Sequence, residues 1–291
     1  MARGDHIRNP AEWGVDQLKL AGAMIGEASH SLAGSEPARD TAPPQVRRIG
    51  FDDLREALRR GVEDFGACRS DVMFLCVIYP LAGLLLGWTA LNHRFLPLVF
   101  PMVTGFALLG PLAALGLYEI SRRREAGLST SWADAFGVLR SPAIGAIAVL
   151  ACGLLAVFLL WLAAAYKIFE VTLGPEPPVS IGAFVGEALG TGEGWMMILL
   201  GCGVGFLFAL LVLTLTVVSF PMLLDRDVGL FRALSTSVQA VVTNPVPMAA
   251  WGLIVAAGLV LGSIPVLLGL VIVMPVLGHA TWHLYRRLVP R

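Results

Sequence analysis

The sequence predicts an all-α, multispanning membrane protein of about six transmembrane helices, and three observations carry that prediction. Hydrophobic residues make up 56% of the chain and charged residues only 14%, against about 45–50% and about 25% in a soluble domain. The charges are segregated into the first quarter of the chain and a few short connectors. The uncharged runs between them reach the ~20 residues that cross ~30 Å of hydrocarbon. Finally, Glu63–Ser70 and Asp134–Ser141 share one pattern, an acid followed by x-Phe-Gly-x-x-Arg-Ser, and each leads directly into an apolar run. That recurrence predicts repeated units of about 51–118, 130–224 and 229–287, each an amphipathic helix followed by a two-span hairpin.

Residues 1–50 read as an amphipathic helix and a flexible linker, ahead of a polytopic domain over 51–291. Asn9-Pro10-Ala11-Glu12 has the signature of a helix start, with a capping Asn, Pro at the first helical position and an acid at the third. Gly, Ser, Thr and Pro43-Pro44 make the following stretch a linker. No apolar signal-peptide core is expected in this region, so the first span serves as the insertion signal.

In the first repeat, Phe51, Leu54, Leu58, Val62 and Phe65 fall on one helical face, which predicts a helix lying on the membrane surface. Related elements are expected at about 130–139 and 229–243. Phe65-Gly66 and Phe136-Gly137 would hold equivalent places, each Phe beneath its hairpin and each Gly easing a close turn. Arg69 and Arg140 would sit among lipid phosphates, and Ser70 and Ser141 would cap the spans that follow.

The spans are expected near Val72–Leu91, Leu96–Tyr118, Ala143–Tyr166, Trp195–Leu224, Val246–Gly262 and Ile264–Tyr285. The last two form one apolar run about twice the hydrocarbon thickness if helical throughout, so Gly262-Ser263-Ile264-Pro265 is read as a hairpin break. With six alternating spans, every Lys and Arg except Arg94 and Lys167 lies on one side. By the positive-inside rule that side is the cytoplasm and holds both termini. Between Lys167 and Gly194, the spacing of Ile181, Phe184, Val185, Ala188 and Leu189 predicts a short interfacial helix.

Few residues carry recognisable chemistry. The first five spans have no Asp, Glu, Lys, Arg or His between their ends, which argues against a proton-coupled transporter. His279 and His283 share a face one turn apart, a spacing that could ligate a metal, although neighbouring Trp282 and Tyr285 favour an aromatic interfacial belt. No catalytic set, cofactor site or nucleic-acid surface is expected. The four cysteines have no ligand spacing. Glu119 with Arg122, Arg123 and Arg124, and Asp225, Arg226 and Asp227, flank two span ends as an ion-pair network or an anionic-lipid site.

The segments Gly110–Gly127, Ser219–Gly229 and Pro275–Tyr285 resemble the bacterial integral membrane family named domain of unknown function 2189, over roughly Arg48 to Arg287. The resemblance implies a bacterial inner-membrane location, and the family has no established activity, cofactor or catalytic residue to carry across. Two functions compete on this sequence. One is a non-enzymatic scaffold or envelope-organising factor, with the bilayer and anionic lipids as surroundings and a protein partner on the cytoplasmic helices. The other is a channel or transporter for a small or apolar solute, with Thr104, Thr214, Thr216 and Ser219 lining a cavity on a pseudo-threefold axis. An enzyme ranks third.

Overall fold

The computed structural model describes residues 44–68, 81, 88, 93–265 and 267–290, and these residues form helices and connecting turns without a strand. The predicted helix after Asn9, most of the linker, Arg69, Ser70, and all of the first predicted span except Leu81 and Trp88 lie outside the described residues.

Helix α1, Phe51–Ala67, starts where the Gly50 N–H donates to the Asp53 carboxylate at 3.0 Å, and Asp52 and Asp53 place negative charge on the first turn. Its buried face is Leu54, Ala57, Gly61 and Asp64. Phe51 and Val62, assigned by hydrophobicity to the membrane-facing stripe, point outward. The helix docks on protein through its smaller residues and leaves part of its apolar stripe exposed. At Gly61 a Cβ atom would come within 2.7 Å of the Ala280 backbone nitrogen and the Val276 carbonyl oxygen, so only glycine admits the C-terminal helix this closely.

The next apolar segment is broken by proline. A 3-10 helix at His93–Leu98 contains Pro97 and leads into α2, Val99–Leu108, then α3, Gly110–Ala113, and α4, Leu115–Glu125. Pro111 has no N–H to donate to a preceding carbonyl, and the chain tightens at Leu109 and Ala114, where ψ is −3° and −4°. Together Phe95–Glu125 is a candidate span of 31 residues, about 46 Å if fully helical and so longer than ~30 Å of hydrocarbon, with Arg122, Arg123 and Arg124 in its last turn.

A second 3-10 helix, Trp132–Arg140, stands where the second repeat's amphipathic helix was expected. Helix α5, Ile144–Thr172, follows, and Trp161 donates its indole N–H to the Pro101 carbonyl at 2.9 Å. Helix α6, Ile181–Gly190, occupies the expected position in the connector, with the Ser180 hydroxyl accepting from the Ala183 N–H. Helices α7, Gly192–Thr216, and α8, Ser219–Asp225, form the span Gly192–Asp225.

Helix α9, Leu230–Thr243, is followed directly by α10, Pro245–Ser263, and α11, Leu270–Leu288. The chain reverses between α10 and α11 at the predicted break, with Leu267 at φ +66° and the backbones so close that a Cβ at Gly269 would lie 2.7 Å from the Gly262 carbonyl oxygen.

Among the described residues, four helical segments are long and apolar enough to cross a membrane: Phe95–Glu125, Ile144–Thr172, Gly192–Asp225 and Pro245–Ser263. The sixth predicted span is not among them. The second half of α11 carries His279, Trp282, His283, Tyr285, Arg286 and Arg287, and most of these side chains are buried against α1 and α4. The molecule thus has an apolar layer with exposed Leu, Phe, Val and Trp surfaces, and a charged layer in which α1 and the end of α11 are locked together.

Candidate functional site

The charged layer centres on Asp64. Three helices bring polar groups to this buried carboxylate: α1 supplies Asp64 itself, α4 supplies Ser121 and Arg124, and α11 supplies His279 and His283. Ser121 donates its hydroxyl to Asp64 Oδ2 at 2.5 Å, and His283 Nε2 lies 2.9 Å from the same oxygen. Arg124 Nε donates to Oδ1 at 2.9 Å. Ser121 Oγ also lies 2.7 Å from His279 Nδ1.

Burial alone would raise the pKa of Asp64, but hydrogen bonds from His283 and Ser121 and the adjacent imidazoles outweigh it and bring the value down to about 2. The carboxylate is therefore ionised and can only accept. It follows that His283 carries its proton on Nε2 and that the Ser121 proton points to Asp64. The serine oxygen then accepts from His279 Nδ1–H. This tautomer leaves His279 Nε2 as a bare lone pair, and that atom is buried with no hydrogen-bond partner.

The residue types resemble those of a hydrolytic triad, but their order is different. A nucleophilic serine gives its proton to the histidine that the acid orients, whereas here serine bridges acid and histidine and is fully buried. The chemistry of the arrangement is that of a clamp: one carboxylate satisfies donors from two other helices and holds three chain segments in register.

A second set of polar contacts surrounds this centre. Glu119, buried, takes two hydrogen bonds from Arg122 at 2.8 Å, and Arg123 pairs with Asp134 at 3.2 Å. Glu125 accepts from the Trp282 indole at 3.0 Å and from Arg286 at 3.0 Å. Asp225 accepts from the Tyr285 hydroxyl at 2.9 Å, and Arg286 approaches it at 3.5 Å. Arg226 lies 3.7 Å from Asp225 and donates to the carbonyls of Val289 and Pro290, completing the end of α11. Asp227 is exposed. The acids and bases flagged at the span ends are thus brought into one layer, most of them paired within the protein.

Other sequence-flagged residues fall outside the clamp. Arg140 is exposed, and the Ser141 hydroxyl accepts from the Ala143 N–H at 3.2 Å just before α5. Phe65 packs partly into the core, whereas Phe136 is about half exposed, and Gly137 lies against the Glu119 side chain while Gly66 has open space around it. The hydroxyls considered as cavity lining each donate to a backbone carbonyl four residues earlier: Thr104 to Phe100, Thr214 to Leu210, Thr216 to Val212 and Ser219, across the break between α7 and α8, to Leu215. Among the described residues no group of three or more His, Cys, Asp or Glu is placed to hold a metal ion.

Sequence reasoning found the two histidines but missed Asp64, which lies 219 positions from His283. The signal was the spacing of Leu54, Ala57, Gly61, Asp64 and Cys68, a narrow stripe of small side chains on an otherwise charged helix. Asn244 was missed too. Its amide accepts from the Ile49 N–H at 2.8 Å and donates to the Arg47 carbonyl at 3.1 Å, tying the chain ahead of α1 to the end of α9.

Residues 99–225 match the family model described as predicted integral membrane protein, domain of unknown function 2189. Of the segments that carry the resemblance, Gly110–Gly127 and the first part of Ser219–Gly229 fall in that stretch, which also includes Ser121 and Arg124, whereas Pro275–Tyr285 lies beyond it. No curated protein and no solved structure is detectably similar to the chain.

Proposed function

We propose that the protein is a non-enzymatic scaffold of the bacterial inner membrane that presents α1 to a protein partner on the cytoplasmic side. The observation that supports this reading is the Asp64 clamp. It spends buried charge and hydrogen bonds on holding one amphipathic helix rigidly against α11, and the outward face of that helix, with Phe51, Arg55, Arg59, Val62 and Glu63, is left exposed. Arg59 pairs with Glu56 and Glu63 on that face, which orders the surface and lowers the entropy lost on docking. Two exposed apolar side chains within a charged frame fit a protein surface better than a free helix in water.

The proline break in the middle of Phe95–Glu125 favours a transporter as a second reading, since broken helices near the midplane often form solute sites. The back-bonded hydroxyls weigh against it.

The test is photocrosslinking in native membranes from position 55 or 62, compared between the parent protein and Asp64→Ala. A defined protein adduct that disappears with Asp64→Ala, while the variant still inserts, supports the scaffold. Adducts to lipid alone from both positions, together with solute flux in reconstituted vesicles, would overturn it in favour of transport.

A further inference from the structure

Helix α9 is turned inside out relative to a helix of a water-soluble protein. The side it buries against the protein is Ala233, Thr236, Ser237 and Ala240, all small and two of them hydroxylic. The side it exposes carries Phe231 at 83%, Val242 at 72% and Val238 at 37% of their accessible surface. Leu230, Leu234 and Val241 lie on the adjoining flank and pack partly into the core, while Arg232 and Gln239 are exposed on the other flank. The most hydrophobic direction of this helix therefore points away from the protein, and water is the wrong solvent for it.

Its depth identifies the right one. The Val218 N–H donates to the Ser237 hydroxyl at 3.2 Å, and the Ser219 hydroxyl lies 3.2 Å from the Ala233 carbonyl. These bonds close the helix break between α7 and α8, inside the candidate span Gly192–Asp225. Ser219 lies six residues before the end of that span, or about 9 Å along a helix. Helix α9 is thus level with the last turns of a membrane helix and does not lie beyond them. It also passes directly into the span Pro245–Ser263, whose exposed Val246 and Leu253 continue the apolar surface.

We infer that α9 is an interfacial helix seated in the leaflet on the charged side of the protein, with Phe231, Val238 and Val242 in the boundary between acyl chains and headgroups. Arg232 reaches from its flank toward the lipid phosphates. The occupant of this surface is lipid. The inference is independent of the scaffold reading, which rests on α1.

The test uses the full chain reconstituted in vesicles of phosphatidylethanolamine and phosphatidylglycerol, with a genetically encoded fluorescent amino acid placed singly at 231, 238, 242 or 239. Brominated lipid quenches the first three and leaves position 239 bright, whereas aqueous iodide quenches position 239. Iodide quenching at 238 and 242 as strong as at 239 would place the face in water and overturn the inference. Protection of 238 and 242 from both quenchers would also overturn it, by showing that protein covers the face. The unmodified protein gives an independent readout: a lipid-phase diazirine reagent labels Phe231 or Val242, and absence of adducts from 230–243 while 246–263 is labelled contradicts the proposal.

Discussion

Helices α1 and α9 begin as the same prediction, an amphipathic helix next to a span, and they meet opposite surroundings. Both dock through small residues: Ala57 and Gly61 in α1, Ala233, Ser237 and Ala240 in α9. The difference lies on the outward faces. That of α1 is framed by Arg55, Arg59 and Glu63 around two apolar side chains, whereas that of α9 is led by Phe231, Val238 and Val242. In a membrane protein, then, the inward face of a surface helix is recognised by its size and the outward face by its polarity. Hydrophobicity by itself does not say which side is in.

The comparison breaks most severely at Asp64. Replacing it with Ala strands Ser121, His283 and Arg124 in a buried site, and loss of one partner from a buried charge network costs about 3–5 kcal/mol. The expected outcome is release of α1, read as protease cleavage within 51–68 and a lower thermal midpoint in detergent. The equivalent lesion in α9, Ser237→Ala, removes one neutral hydrogen bond and costs about 1 kcal/mol. Acid tests the same carboxylate. Its folded pKa is lowered from 3.8 to about 2, so its stabilising contribution is complete above the unfolded value and is lost as the pH falls from about 4 toward about 2. Thermal midpoints taken across that window should fall for the parent, and the fall should be shallower in Asp64→Asn. Equal slopes would mean that the clamp is not ionic.

Much of the fold could be read from composition and periodicity, because a span is a property of one uninterrupted segment. The four spans, the reversal after Gly262 and the helix at Ile181–Gly190 are all of this kind. The site was less accessible. His279 and His283 advertise a shared face by their spacing, but their partner Asp64 is distant in sequence and resembles any other acid on a charged helix. In the sixth predicted span, α11 starts apolar and then carries aromatic and charged side chains that look interfacial in sequence, and only the docked helices show that most of them are buried. The repeat pattern is a property of sequence whose three copies fold locally as α-helix, 3-10 helix and α-helix.

Glycine tests the size half of the comparison. Gly61→Val drives methyl groups into the backbone of α11 at Ala280 and Val276, and overpacking of this kind costs about 1–3 kcal/mol. Gly66, five positions on, has open space for 4 Å around the place a Cβ would take, and Gly66→Ala should hold or raise the thermal midpoint, since Ala is favoured over Gly in a helix by up to about 1 kcal/mol. A Gly61→Val protein as stable as the parent would mean that α1 and α11 are not in close contact.

The polarity half is tested by the smallest effect and the sharpest contrast. Val62 on α1 and Val242 on α9 are both exposed valines, at 55% and 72%, and a water-facing site accepts Asp at either position within about 0.5 kcal/mol. If α9 faces lipid near the headgroups, Val242→Asp must place a carboxylate where apolar contact is lost, and the cost is on the order of 1 kcal/mol. Val62→Asp should therefore leave the thermal midpoint in bilayer nanodiscs unchanged while Val242→Asp lowers it, and Gln239→Asp, on the polar flank of the same helix, should behave like Val62→Asp. If all three substitutions are equally silent, α9 lies in water and the two helices are alike after all. If Val62→Asp is the costly one, the outward face of α1 is the one in lipid, and its assignment as a surface for a protein partner falls with it.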